Sequence, residues 1–383
     1  MVTITCSGKF HAFALAEQLQ RHDMLTALHT SYAYQKNNWF RRLAGRIDKE
    51  AIPVQKIHTA IPLAFPMKMF PRNAYLWNNW FDRLTASRLG NKSGKVLIGW
   101  SGMSLHTIKK AKKLGMITVL ERGSSHIEYQ NEILKEEYAR YDRPFSIDQR
   151  VIEKELKEYE AADYIAVPSK FVYNSFAGRI GNTGKLVLNN YGAGKMAITP
   201  EPVLPAKFRI LYLGTLCIRK GAEYLFRALN QLSIPEQEYD VQFIGAIDPE
   251  VKQLIEKYRR SNWQFTGHIN HYDLPQHLAL CSIGIQPSLE EGLSMVIPQM
   301  LSAGIPVIGS TNSGGEDVIK EGQNGFVVPV RSPEAIAEKI NWFFNHPGEL
   351  SSMRKVAAQG IRQGLSWNDY GDRYAAFLQK ITG

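Results

Sequence analysis

The sequence has few cysteines and no long apolar run. Cys6, Cys217 and Cys281 are the only three cysteines in 383 residues. An odd and scattered set argues against a disulfide scaffold and for a reducing compartment. No apolar stretch approaches the roughly 20 residues that span a bilayer, and the opening MVTITCSG has the pattern of a strand rather than of a signal peptide. These absences predict a soluble, cytoplasmic protein.

Acidic residues are scarce in the first third of the chain. Residues 1–120 hold 18 Lys and Arg but 5 Asp and Glu, whereas residues 201–383 hold 17 and 19. This excess of positive charge predicts an anionic partner. The partner would be a phosphorylated substrate or the inner face of an anionic membrane, which the protein would contact peripherally. The alternative is that the charge serves solubility alone. Nucleic acid is disfavoured because no recognition motif accompanies the basic charge.

Basic and aromatic residues are interleaved in residues 32–90. On a helix, one apolar face flanked by arginines would form from Trp39, Phe40, Leu43 and Ile47 with Arg41, Arg42 and Arg46. Such a face suits an anionic bilayer. The alternative is that the aromatic side chains pack in a core and the arginines form its solvated rim.

Short β-branched runs alternate with amphipathic stretches, first before and then after a segment with three prolines, ITPEPVLPAKF (198–208). Strand–helix–strand units of this kind build parallel sheets covered by helices on both faces. We therefore predict an α/β fold with two Rossmann-like, doubly wound domains that face a central cleft. The boundaries are 1–197 and 206–365, followed by a terminal amphipathic helix within 366–383.

Two common signatures of nucleotide and metal sites are missing. The turn SGKFH (7–11) lacks the dinucleotide fingerprint G-x-G-x-x-G, although Gly8 and Lys9 would suit a weak anion-binding turn. No D-x-D carboxylate pair follows a strand. His268, His271 and His277 lack convincing ligand spacing. The sequence therefore predicts no metal site and no bound cofactor.

Two cations stand where a helix begins, in YLGTLCIRKG (212–221). A strand ends near Gly214, and Arg219 and Lys220 precede Gly221. Guanidinium and ammonium groups bind pyrophosphate well, the first bidentately and the second as a point charge. Positive charge at a helix N-terminus is otherwise unfavourable, which favours a binding role over a merely solvated basic pair.

A third segment, PSLEEGLSMVIPQMLSAGIPVIGS (287–310), carries the strongest signal. A polar loop follows a strand and leads into a helix, so several amides of the loop 291–295 would face an anion. Glu291 would accept hydrogen bonds from sugar hydroxyls, and Gln299 would point into the same cleft. A carboxylate within a phosphate site fits a ligand that carries both hydroxyls and phosphate.

This segment resembles the retaining glycosyltransferases of family 4, which share the GT-B fold. Their E-G-(aromatic or Leu)-(Gly/Ser) motif is matched by Glu291, Gly292, Leu293 and Ser294, with Met295 next in the loop. The second family glutamate, which holds the ribose, is replaced by Gln299. The resemblance also implies that Lys220 meets the donor pyrophosphate, that His268 lies near the donor base, and that the terminal helix returns to the first domain.

The resemblance implies a retaining, metal-independent transfer from a nucleotide-diphosphate sugar to a glycan, lipid-linked or small-molecule acceptor. The second domain would bind the donor and the first the acceptor. Lys220 and Glu291 would act on the donor, and the catalytic histidine of the family is assigned to His126. Glu121 is the rival for that role, unless it only forms a structural ion pair with Arg122.

Two other classes of function stay open. An epimerase on the same fold would use the donor site without an acceptor. A non-catalytic sugar-nucleotide-binding protein would use the basic first domain to dock on a membrane or polyanion. Three departures from the family pattern favour this last class. Gln299 replaces the second glutamate, Thr215 stands where the family often has an Arg, and His126 comes a few residues after the end of its strand.

Overall fold

The computed structural model describes residues 1–8, 10–31, 51–60, 69, 73–192, 207–270, 272–360 and 364–383. Lys9, His271 and the aromatic and basic positions between 39 and 47 lie outside the described residues. The segment 193–206, where the predicted domain boundary falls, also lies outside them, so the boundaries at 197 and 206 stay predictions.

A seven-stranded parallel sheet forms from the first half of the chain, in the order β3-β2-β1-β4-β5-β6-β7. Its strands are β1 (Val2–Cys6), β2 (Leu25–Thr30), β3 (Ile57–Thr59), β4 (Val96–Trp100), β5 (Ile117–Glu121), β6 (Tyr164–Val167) and β7 (Leu186–Leu188). The helices are α1 (Ala12–Arg21), α2 (Ala74–Arg88), α3 (Leu105–Lys113), α4 (Ile127–Ala139), α5 (Gln149–Ala161) and α6 (Lys170–Ser175).

A six-stranded parallel sheet follows, in the order β10-β9-β8-β11-β12-β13. Its strands are β8 (Phe208–Leu213), β9 (Tyr239–Ile244), β10 (Trp263–Gly267), β11 (Ile283–Gln286), β12 (Val307–Ser310) and β13 (Gly325–Val328). The helices are α7 (Ala222–Asn230), α8 (Lys252–Tyr258), α9 (Leu274–Ala279), α10 (Val296–Ser302), α11 (Pro333–Asn345), α12 (Pro347–Gly360) and α13 (Trp367–Thr382).

The neighbouring strands β1 and β4 of the first sheet are buried along their whole length because helices cover both faces of the sheet. Every residue of β1 and of β4 is buried, as expected for strands inside a parallel sheet. The predicted two-sheet α/β architecture is confirmed. The helix α6 ends at Ser175, and Gly178 adopts a left-handed φ of 73° just beyond it.

Both sheets reverse their strand order beside the first strand, β1 in one and β8 in the other. In such sheets the ligand crevice lies outside the carboxyl ends of the two strands that flank the reversal. These ends lead into the loops that begin at Ser7 and Ser101 in the first sheet, and at Gly214 and Pro287 in the second. The four loops meet at one cleft.

The terminal helix α13 packs against α1 of the first domain. Tyr370, Tyr374 and Leu378 recur every four residues and form its buried face. Ser366 and Asp369 cap its first turn reciprocally. Arg21 of α1 forms an ion pair with Asp372. The last helix of the chain therefore ties the second half of the protein to the first.

The two domains are in close contact at Gly292. A Cβ atom at this position would lie 1.9 Å from the carbonyl oxygen of Gly123 and 3.2 Å from Pro168. Ser169 Oγ donates a hydrogen bond of 2.6 Å to the Gly292 carbonyl oxygen. The glycine is therefore required by the contact between the domains.

We predict that Gly292→Ala pushes the domains apart at this contact and lowers the free energy of unfolding by about 1–3 kcal/mol, the usual cost of overpacking. Chemical denaturation measures the loss. Gly348→Ala is the matched control, since a Cβ there meets nothing within 4 Å. Equal stabilities of the two variants would contradict the prediction.

Candidate functional site

A cavity of about 720 Å³ lies between the two domains, where the four loops meet. The first domain contributes aromatic, hydroxyl and charged side chains, among them Phe10, His11, Trp100, Ser101, Arg122 and Glu155. The second contributes Lys220, the loop 291–296 and Trp367. A space of this size with mixed apolar and polar walls is typical of a small-molecule site.

The cations predicted from the sequence meet the predicted carboxylate on the second domain's side of the cavity. Lys220 Nζ lies 3.1 Å from Glu291 Oε1, and Arg219 Nη1 lies 3.5 Å from Glu291 Oε2. Burial opposes the charge of Arg219, but Glu291 and Glu290 outweigh it and raise the pKa of the guanidinium. All three side chains therefore face one another.

A neighbouring carboxylate, Glu290, belongs to the same cluster and was missed by the sequence analysis. It is fully buried, and its Oε1 accepts hydrogen bonds from the Ser125 amide at 2.9 Å and the Ser125 hydroxyl at 2.8 Å. Its Oε2 accepts one from Gln130 at 3.0 Å. Arg219 donates to the Glu290 carbonyl oxygen at 2.6 Å. Glu290 thus joins the cation pair to the first domain. Its only signal in the sequence is its place beside Glu291.

The loop after β11 lies at the cavity, but not all of its amides face an anion. Gly292, Leu293, Ser294 and Met295 all line the cavity. The amide of Glu291 donates to the Asn312 carbonyl oxygen at 3.2 Å, and that of Ser294 to the Ser313 carbonyl oxygen at 2.9 Å. These two amides are therefore not among the several that the loop was predicted to offer to a ligand.

The other predicted donor residues lie outside the cavity lining. Gln299 is half-buried on α10. His268 is exposed directly after β10. Gly8 is half-buried at the end of β1, near the cavity residue Phe10. Their roles at the donor stay predictions.

The imidazole of His126 does not face the cavity. The residue caps α4, and its Nδ1 accepts a hydrogen bond from the Glu128 amide at 3.3 Å. The ring is buried against Tyr159 and Phe176. Burial, aided by Arg122 and Arg179, lowers the pKa of His126 to about 4. This placement explains a structural role, and the catalytic role predicted for His126 gains no support from it.

Glu121 does not form the predicted ion pair with Arg122. Arg122 instead lies 2.7 Å from Glu155 Oε2 through its Nη1. Glu121 Oε2 lies 3.0 Å from His11 Nε2. The reason is the alternation of the strand, which sends consecutive side chains to opposite faces of the sheet. His11 was missed as a site residue, although it ends the SGKFH segment that the sequence analysis singled out.

Among the described residues no group of three or more His, Cys, Asp or Glu side chains is arranged to hold a metal ion. Within the same part of the chain, no helix has the length and apolar character needed to cross a membrane.

Comparison with known proteins matches the second half of the chain to one family. The family model of glycosyl transferases group 1 matches residues 200–360, which include the cation pair and the loop 291–296. Residues 200–360 are therefore similar to the group 1 glycosyl transferases. A curated relative, alpha-D-kanosaminyltransferase from Streptomyces kanamyceticus, is 28% identical over 178 residues, which are 45% of this chain and 45% of the relative.

Solved structures extend the likeness in fold to the whole chain. Sucrose-phosphate synthase from Thermosynechococcus elongatus superposes with a TM-score of 0.71 and is 17% identical in sequence. The superposition covers 100% of this chain and 98% of the synthase chain. HepE from Anabaena in complex with UDP-glucose gives 0.68 at 15% identity, covering 99% of both chains. At these identities the likeness shows the fold, GT-B, alone. The chain spans about half the length of the curated relatives it matches.

We predict that His126→Asn, which can still cap α4, removes a pH dependence of stability. The pKa of His126 in the folded protein, about 4, lies below its ordinary value of 6.5. Between these two pH values His126 is therefore protonated in the unfolded chain but neutral in the folded protein. The wild type therefore loses stability as the pH falls from 6.5 towards 4, by at most about 3 kcal/mol.

Urea denaturation at pH 7 and pH 4.5 measures this difference between wild type and variant. The variant should lose less stability than the wild type. Equal losses in the wild type and the variant would contradict the prediction.

Proposed function

We propose that the protein is a retaining, metal-independent glycosyltransferase that takes a sugar from a nucleoside-diphosphate donor. The observation that carries the proposal is the cluster of Arg219, Lys220 and Glu291, of which Lys220 and Glu291 line an interdomain cavity. The family match over this segment and the UDP-glucose held by the structurally similar HepE support it.

The donor diphosphate would compete with Glu291 for the two cations. Glu291 Oε1 lies 3.1 Å from Lys220 Nζ. A diphosphate carries more negative charge and binds guanidinium and ammonium groups through several oxygens. Once it occupies the cations, Glu291 is free to accept hydrogen bonds from the sugar hydroxyls. One cluster then serves both parts of the donor.

The reaction forms a bond between an acceptor oxygen and the anomeric carbon on the face from which the diphosphate leaves. The bond from that carbon to the phosphate oxygen breaks, and the acceptor proton passes to the same oxygen. The products are a glycoside and a nucleoside diphosphate. Negative charge grows on the leaving group, and Arg219 and Lys220 stabilise it in a site from which water is largely excluded.

The acceptor would lie against the first domain, whose side of the cavity carries aromatic and hydroxyl side chains. Peripheral contact with an anionic membrane stays a prediction. Two features of the described residues support it: α2 exposes Leu76 and Trp80, and Lys109, Lys112 and Lys113 are exposed on the neighbouring α3. Lipid-linked acceptors would approach from such a surface.

A thermal-shift panel tests the donor class. UDP, GDP, ADP and dTDP, each with its glucose or mannose derivative, are added to the full chain. A ligand at 100 times its Kd stabilises the folded state by about 2.7 kcal/mol, so a true donor raises the melting temperature. The proposal fails if no nucleotide does so at millimolar concentration.

We predict that Lys220→Met lowers the transfer rate about 100-fold, the usual effect of removing one group that stabilises transition-state charge. The thioether keeps the length of the stem, so stability should change little. Release of nucleoside diphosphate measures the rate. Lys355→Met, an exposed lysine on α12, is the control. Full activity of Lys220→Met would exclude the assignment.

We predict that Gln299→Glu tightens nucleoside-diphosphate binding several-fold if this residue faces the ribose, because a charged acceptor forms the stronger hydrogen bond. Isothermal titration calorimetry measures the Kd. An unchanged Kd would remove Gln299 from the donor site.

A further inference from the structure

The imidazole of His11 is held at the cavity by a carboxylate. His11 immediately precedes α1 and lines the cavity. Its Nε2 lies 3.0 Å from Oε2 of Glu121, the last residue of β5. The two side chains are 10% and 3% exposed. The proposed transfer uses neither residue.

The same carboxylate accepts a hydrogen bond from the terminal helix. Tyr374 OH, on α13, donates to Glu121 Oε1 at 2.6 Å. Both oxygens of the carboxylate are therefore occupied, which offsets the cost of burying its charge. Three residues that are far apart in the sequence are brought together by the fold and fix the position of one imidazole.

Two aromatic rings flank the imidazole of His11. Its centroid lies 5.0 Å from that of Trp100 and 4.2 Å from that of Tyr191. Because the ring cannot turn and a carboxylate faces Nε2, the proton is favoured on Nε2. Nδ1 is then the nitrogen left to accept a hydrogen bond from a bound molecule.

We propose that His11 binds an acceptor sugar through a hydroxyl next to the attacking one, with Glu121 and Tyr374 as positioning residues. This rests on the proposed function and deepens it by naming the acceptor class, a pyranoside. A sugar ring presents C–H faces to aromatic side chains and hydroxyls at its rim. The cavity wall offers both partners, in Phe10 and Trp100 beside His11.

Saturation-transfer NMR tests the proposal on the full chain. The probes are the methyl α-glycosides of glucose, galactose, mannose and N-acetylglucosamine, with and without saturating nucleoside diphosphate. We expect at least one glycoside to bind the wild type. His11→Gln, which keeps a group facing Glu121 but has none at Nδ1, should weaken that glycoside at least tenfold and leave nucleotide affinity within threefold.

Tyr374→Phe should weaken the same glycoside by a smaller factor, since it removes only the outer hydrogen bond. His58→Gln, an exposed histidine on β3, is the matched control and should change nothing. Long-range 1H–15N NMR of the histidines gives an independent readout: His11 should carry its proton on Nε2 in the wild type.

The outcomes separate the two proposals. Nucleotide binding without any glycoside binding, or equal glycoside affinity in the wild type and His11→Gln, overturns this inference and leaves the proposed function standing. The inference is also overturned if the NMR spectra show that His11 is protonated on Nδ1 and not on Nε2. Glycoside binding that depends on His11, without binding of any nucleotide, overturns the proposed function instead.

Discussion

The structure depends on a small group of charges at the boundary between the two domains. Arg219 and Lys220 come from the end of one strand, and Glu290 and Glu291 from the end of its neighbour. Glu291 faces the two cations, whereas Glu290 is buried and binds the first domain through Ser125 and Gln130. The group that would bind the donor is thus joined to the contact between the domains.

This arrangement gives a physical reason for coupling between ligand binding and domain contact. Any anion that draws Arg219 towards it changes the surroundings of the Glu290 carbonyl oxygen, which that guanidinium binds at 2.6 Å. Tyr374 of the terminal helix makes a second link, since it donates to Glu121, the partner of the cavity residue His11. We expect binding of a ligand in the cavity to be coupled to the contact between the domains through these two links.

The sequence predicts those features that depend on neighbours along the chain. The two-sheet fold follows from β-branched runs such as those that form β1 and β5. The two residues of the cation pair are consecutive in the sequence. Contacts between distant residues were not predictable: Glu121 lies 110 positions from His11 and 253 from Tyr374. The direction of a side chain was not predictable either, because His126 sits in a loop near the cleft but turns its ring into the core as a helix cap.

The most direct test of the account compares a nucleoside with its diphosphate by isothermal titration calorimetry, using uridine with UDP and guanosine with GDP. Two charge-assisted contacts of about 1.5–3 kcal/mol each predict that the diphosphate of the true donor binds at least about 100-fold more tightly than its nucleoside. The account predicts that Lys220→Met removes most of this difference. Equal affinities of nucleoside and diphosphate in the wild type would contradict it.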